Sequence, residues 1–221
     1  MNIKAVIFDF DDTLGFRERY TYLTYCQKLD EVCPGLEPWK REMYLQYMMV
    51  IDQHGEVEKT YIRDRFLDKF GIDLGEDFTE YWHTRQCDNA VLYDDAMETV
   101  KERKKRGYLV GILTNGSSYG QRAKVVNTGL IDLLDGLLIS GETNCQKPDP
   151  EIFRQIAAQM NVKPEECAYV GDMFRNDMYG AHEAGMRPIW CWPHGYRDVS
   201  VDITRIHRLK DLLDLFPGVK E

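Results

Sequence analysis

Ile3-Lys4-Ala5-Val6-Ile7-Phe8-Asp9-Phe10-Asp11-Asp12-Thr13-Leu14 passes from an apolar run to dense negative charge with no turn residue between them. Ala5 to Phe8 has the pattern of a short strand buried on both faces. Asp9, Asp11 and Asp12 follow within four positions. Packing alone does not put such charge at the end of a buried strand, because an unpaired buried carboxylate costs several kcal/mol. Strand alternation sets Asp9 and Asp11 on the same side of the chain where it leaves the sheet. Two carboxylates so close need a cation, a shared proton, or both. Mg²⁺ meets that need, since it prefers a few hard oxygens together with water and a substrate phosphate.

The remainder of the chain bounds what this stretch can serve. Its 221 residues, 43% hydrophobic and 29% charged, suffice for one core domain carrying a smaller insert. A formal charge of -9 argues against a nucleic-acid polymer or an anionic membrane as the main partner. It does not argue against a small anionic substrate, because a metal and a lysine can invert the field inside one pocket. No apolar run approaches the ~20 residues that span a bilayer, and the first residues run straight into a strand, so a cytoplasmic location is expected. Cys26, Cys33, Cys87, Cys145, Cys167 and Cys191 are scattered without metal-site spacing and read as reduced thiols, with Cys167 and Cys191 packed in or beside strands. His54, His83, His182, His194 and His207 form no cluster.

From Phe16 to about Cys87 only helical periodicity is present, in a block rich in aromatic residues and methionine. Trp82 and the tyrosines there either fill that block's own core or stack on a substrate, while Arg17, Arg19, Arg63, Arg65 and Arg85 read as a solvated helix face. From about Leu92 strand and helix alternate, with strands expected near 108–113, 136–140, 167–170, 188–192 and 203–206. Such alternation means a parallel sheet with helices on both faces. The expected organisation is therefore an α/β core formed by 1–15 and 88–221, with an all-helical cap at 16–87 inserted beside the carboxyl edge of the sheet, where open α/β folds keep their sites.

Four strand ends then carry polar groups into one crevice: Asp9 and Asp11; Thr114-Asn115-Gly116; Lys147, in a stiff loop ahead of a helix; and Gly171-Asp172 with Asp177 beyond. DFDDT at 9–13, LTNG at 113–116, QKPDP at 146–150 and GDMFRND at 171–177 together resemble the four motifs of the haloacid dehalogenase superfamily, in the branch with a helical cap inserted after the first strand. The resemblance covers essentially the whole core, while the cap matches only in type and position. It implies a Rossmann-like core, Mg²⁺ as cofactor and the Asp11 backbone carbonyl as one metal ligand.

The residues themselves suit phosphoryl transfer, which needs an in-line nucleophile, cations on the equatorial oxygens and an acid for the leaving group. Asp9 is the candidate nucleophile and would form an aspartyl-phosphate, and Asp11 is placed as general acid and base. Asp172 would complete Mg²⁺ coordination with Asp9, Thr114 and the Asn115 backbone amide would hold phosphate oxygens, and Lys147 would neutralise nucleophile and phosphate. Asp177 would orient Lys147 or a metal-bound water, while Asp12 and Thr13 shape the turn. The expected reaction is hydrolysis of a small phosphorylated metabolite. The dehalogenase reaction of the superfamily needs no acid at the position of Asp11. Phosphonate cleavage would need a buried cap lysine, and nothing in the sequence marks Lys28, Lys40, Lys59 or Lys69 as one. A sugar-phosphate mutase on the same core stays open, whereas a phospho-accepting receiver domain or a non-catalytic binding protein fits the large insert and the filled reactive positions badly. Nothing in the sequence specifies the ester or an oligomeric state.

Overall fold

A computed structural model describes residues 2–191, 200–216 and 218. They fall into two compact units, Met1–Phe16 with Leu92–Glu221, and Arg17–Val91. These breaks differ from the expected ones after Gly15 and Cys87. Asn89 and Ala90 stay with the helical unit because Asn89 Nδ2 donates to Thr24 Oγ1 at 3.1 Å and the Ala90 N–H to the Cys87 carbonyl at 3.3 Å. Leu92 instead bridges to Gly15.

In the first unit the strands are β1 (Ala5–Phe8), β2 (Leu109–Thr114), β3 (Gly136–Ile139), β4 (Cys167–Gly171), β5 (Arg187–Cys191) and β6 (Thr204–Ile206). They form one parallel sheet in the order β3-β2-β1-β4-β5-β6. Ala5 aligns with Leu109 on one side and Cys167 on the other, so β1 lies between strands that the chain reaches in opposite directions. That is the topological switch point, where a crevice opens beyond the carboxyl ends. Alternation along the strands builds two cores. Val6, Phe8, Val110, Ile112 and Val170 pack with Ala96 and Val100, while Ala5, Ile7, Leu113 and Tyr169 pack with Ile152, Phe153 and Ala181. Burial on both faces explains why β1 carries no polar residue until Asp9.

Small shifts separate the observed from the expected elements. β2 reaches Thr114 because that residue still pairs with Ile139, and the helix expected at 77–85 runs on to Asp88 with no glycine or proline to stop it. Trp192, expected to end β5, and His194 lie outside the described residues. Phe174–Met178 forms a π-helical turn where a loop into a helix was expected. The six cysteines are free thiols, with Cys167 and Cys191 buried in strands. No helix among the described residues is long and apolar enough to cross a membrane.

Ahead of the first unit's helices α5 (Ala96–Lys105), α6 (Ser118–Asn127) and α7 (Pro150–Gln159), the chain builds the second unit from helices α1 (Arg17–Val32), α2 (Pro38–Ile51), α3 (Lys59–Phe70) and α4 (Phe78–Asp88). Its core is Tyr25, Leu29, Tyr44, Leu45, Met48, Ile62, Phe66, Phe78 and Trp82, so Trp82 and most of the aromatic residues pack on each other. Three expectations about charge are corrected here. Arg17 is buried rather than on a solvated face, and Lys28 and Lys59 are buried although the sequence marked neither. For Arg17 and Lys59 the cause is Asp52, itself buried, which accepts from Arg17 at 2.7 Å, from Lys59, and from the Tyr25 hydroxyl at 3.0 Å. Lys28 pairs with Glu31 at 2.8 Å and lies over the Tyr81 ring. Ordinary helical periodicity cannot foretell the burial of Arg17 and Lys59, because it depends on a carboxylate arriving from another part of the chain.

Candidate active site

The chain leaves β1 in a one-turn loop. Leu14 and Gly15 donate backwards to the Phe10 carbonyl at 3.0 and 2.7 Å, and Asp12 takes a left-handed conformation at φ 58° with its N–H on the Gly15 carbonyl. Asp12 thus shapes the turn, and the Thr13 hydroxyl lies 3.4 Å from Asp172 Oδ1. Asp9 still pairs as strand, its N–H donating to the Val170 carbonyl at 2.8 Å, which holds its carboxylate at the sheet edge with only 6% exposure.

Lys147 reaches that carboxylate from the loop after β3. Its ammonium donates to Asp9 Oδ1 at 2.8 Å, Asp177 Oδ1 at 2.6 Å and the Tyr169 hydroxyl at 3.1 Å, so each of its three protons has an acceptor. The Lys147 backbone is clamped by the Asn115 side chain, whose Oδ1 accepts from the Lys147 N–H at 2.9 Å and whose Nδ2 donates to the Lys147 carbonyl at 3.0 Å. Behind this loop Asp149 caps helix α7 (Pro150–Gln159) by accepting from the Glu151 N–H. Asp177 is drawn under the end of β4 by the π-helical turn, with Oδ2 accepting from the Met173 N–H at 2.9 Å. Gly171 permits that approach, since a Cβ there would sit 2.5 Å from Asp177 Cγ. The Trp190 indole N–H donates to the Asp172 carbonyl at 2.8 Å and steadies the same loop.

One carboxylate oxygen from each of Asp9, Asp172 and Asp177 lies within 4.8 Å of the others. Burial first, then the charges of Asp177 and Asp11, raise the Asp9 carboxyl to about 7 against the opposing pull of Lys147. Burial, then the charges of Asp177 and Asp9, hold the Asp172 carboxyl well above the usual carboxylate range. Burial also opposes the Lys147 charge, but Asp177 and Asp9 outweigh it and raise the ammonium above the usual lysine range. Three carboxylates facing one cation leave a negative excess that a divalent ion would neutralise, and hard oxygens are the donors that Mg²⁺ prefers.

The structure therefore brings Asp9, Lys147, Asp172 and Asp177 into direct company. The Asp11 carboxylate lies outside the acidic cluster and is held instead by helix α6 (Ser118–Asn127), where Lys124 donates to both its oxygens at 2.7 Å and Gln121 to Oδ2 at 2.9 Å. Thr114 Oγ1 accepts from the same Gln121 amide at 2.8 Å, and the Asn115 side chain serves the Lys147 loop. Sequence reasoning missed Tyr169, Trp190, Gln121 and Lys124. Tyr169 alone had a usable signal, its parity with the end of β4. A buried helical lysine reads like a solvated one.

Acidic side chains thus gather around one lysine at the switch point of a parallel sheet, where doubly wound α/β folds bind their ligands. The profile of the haloacid dehalogenase-like hydrolases matches residues 3–185, and the chain belongs to that family. It is 29% identical to a glyceraldehyde 3-phosphate phosphatase of Methanopyrus kandleri over 226 residues, 96% of this chain and 97% of the relative. A phosphoserine phosphatase of Thermus thermophilus is 38% identical over 125 residues, 57% of this chain and 50% of that one. Among solved structures, a HAD phosphatase from Thermococcus onnurineus superposes with a TM-score of 0.69 at 29% identity, covering 98% of this chain and 99% of its own. The magnesium-bound HAD hydrolase YfnB from Bacillus subtilis gives 0.81 at 19% identity, covering 97% and 99%, and shares the fold.

Proposed function

We propose that the chain is a Mg²⁺-dependent phosphatase that hydrolyses a small phosphate monoester through a phosphorylated Asp9. The observation that carries this reading is the Asp9 carboxylate, held 2.8 Å from Lys147 at the switch point with Asp172 and Asp177 beside it. An Asp9 oxygen attacks phosphorus as the ester oxygen departs with a proton from Asp11. Water then attacks the phosphorylated Asp9, giving its proton to the Asp11 carboxylate and restoring the free enzyme. Lys147 keeps positive charge beside the nucleophile, and Asp177 with Tyr169 holds that ammonium in place. Asp9 and Asp172 would hold Mg²⁺, which supplies charge neutralisation for an anion approaching an anion. Thr114 and the Asn115 backbone N–H would take phosphate oxygens.

The named relatives point to glyceraldehyde 3-phosphate and phosphoserine as the first esters to try. Hydrolysis of p-nitrophenyl phosphate with Mg²⁺, with EDTA and by Asp9→Asn tests the reading, followed by those esters. Metal-dependent turnover that vanishes in the variant supports it. Full turnover by Asp9→Asn removes Asp9 as nucleophile, and phosphoryl transfer within a sugar phosphate without release of phosphate makes the enzyme a mutase.

A further inference from the structure

Asp11 must exchange a proton in each half of the proposed cycle, and its carboxylate is gripped by helix α6 rather than joined to the cluster of Asp9, Asp172 and Asp177. Helix geometry explains how. Ser117 caps α6 by accepting from the Gly120 N–H at 3.2 Å, and Gln121 and Lys124, three residues apart, then share one face. Lys124 is 3% exposed and grips both oxygens, while Gln121 grips Oδ2, so the plane of the carboxylate is fixed. The Gln121 amide nitrogen also reaches Thr114 Oγ1 at 2.8 Å and the Asn115 carbonyl at 2.7 Å, tying Asp11 to the end of β2. Gly116 makes room for it, because a side chain there would meet Gln121 Cγ at 2.9 Å and would be strained at φ 139°. Among the described residues Gln121 Oε1 is buried without a partner. An orphaned buried acceptor costs stability, and a polar group kept in that state calls for a reason beyond packing.

We propose that Lys124, assisted by Gln121, is a positioning residue that aims the Asp11 carboxylate at the water of the second half-reaction. The inference rests on the phosphatase reading above. In that step the water oxygen forms a bond to phosphorus as the Asp9 oxygen–phosphorus bond breaks, and the water proton passes to Asp11. The two hydrogen bonds from Lys124 and the one from Gln121 set the direction in which the Asp11 carboxylate accepts the proton. Proton transfer needs the acceptor within hydrogen-bond reach of the water, and misplacement by about 1 Å can lower a rate by roughly 100-fold.

The test uses p-nitrophenyl phosphate, whose leaving group departs with little protonation, so that the first half-reaction is insensitive to Asp11. Wild type, Lys124→Met, Lys124→Gln and Lys124→Arg are followed at steady state and in the first turnover, with thermal unfolding measured in parallel. The expected result for the methionine and glutamine variants is a roughly 10- to 100-fold loss in kcat, kcat/KM within about threefold of wild type, and a burst of p-nitrophenolate as the phosphorylated enzyme accumulates, with partial recovery in the arginine variant. A merely structural role would lower kcat and kcat/KM together without a burst. That result, or unchanged kinetics, overturns the inference and leaves the phosphatase reading standing. The glutamine variant keeps a polar, uncharged end at this position and is read in the same way should the methionine variant fail to fold. A wild-type enzyme that releases neither p-nitrophenolate from the model ester nor phosphate from glyceraldehyde 3-phosphate or phosphoserine overturns the phosphatase reading, and this inference with it.

Discussion

Asp9→Asn should abolish a loss of stability that the metal-free protein undergoes as pH rises, while removing its activity. In the folded chain burial raises the Asp9 carboxyl from its ordinary 3.8 to about 7. The native state therefore holds the proton more tightly than the unfolded chain does. The stability tied to that proton is complete below 3.8 and is lost as pH rises through about 7. At about 1.36 kcal/mol per pH unit, the interval from pH 5 to 7 corresponds to about 3 kcal/mol, and little more is lost above it. Asparagine has no proton to lose. Between pH 5 and pH 8, in EDTA, wild type should fall behind the variant by about 3 kcal/mol, on the order of 8 °C in Tm for a chain of this size. Urea unfolding followed by circular dichroism at the two pH values measures the gap. Parallel pH profiles for the two proteins, or a wild type that gains on the variant as pH rises, would refute the claim that Asp9 is held in an anion-hostile setting.

The network around that carboxylate makes further claims. Lys147→Met leaves the Asp9 and Asp177 carboxylates facing each other without their cation, and should cost about 3–5 kcal/mol at pH 8, read as a lower urea midpoint. Trp190→Phe removes the indole hydrogen bond to the Asp172 carbonyl, and should weaken Mg²⁺ binding roughly tenfold by calorimetry with the fold intact. In the helical unit Asp52→Asn leaves Arg17 and Lys59 buried without their carboxylate, and should cost about 3 kcal/mol in urea unfolding of the full chain at pH 7. An unchanged midpoint there would mean that the cluster adds nothing to stability.

Much of this site can be read from the chain because the features that build it are local. An apolar run ending in Asp9, a proline after Asp149, and glycines at 116 and 171 each state a backbone requirement within a few residues. The parallel order of the strands follows from their alternation with helices, and it carries Asp9, Lys147 and Asp172 to one edge. What stays illegible depends on partners far away in sequence. Asn115 spends both ends of its amide on the Lys147 backbone, a pairing that no motif spacing announces. Lys124 and Lys59 lie on helices where a lysine is ordinarily solvated, and only a carboxylate arriving from another element buries them. The π-helical turn at Phe174–Met178 adds one residue to a helical ring, a change too small to alter the hydrophobic pattern yet enough to bring Asp177 against Gly171.

The claim at the centre is that phosphate passes through Asp9. Wild-type enzyme mixed with Mg²⁺ and p-nitrophenyl phosphate, quenched in acid during turnover and digested for mass spectrometry, reports it directly. Phosphate is expected on the peptide that carries Asp9, removable by hydroxylamine as an acyl phosphate is. Turnover with that peptide unmodified, or with the phosphate on another residue, would contradict it.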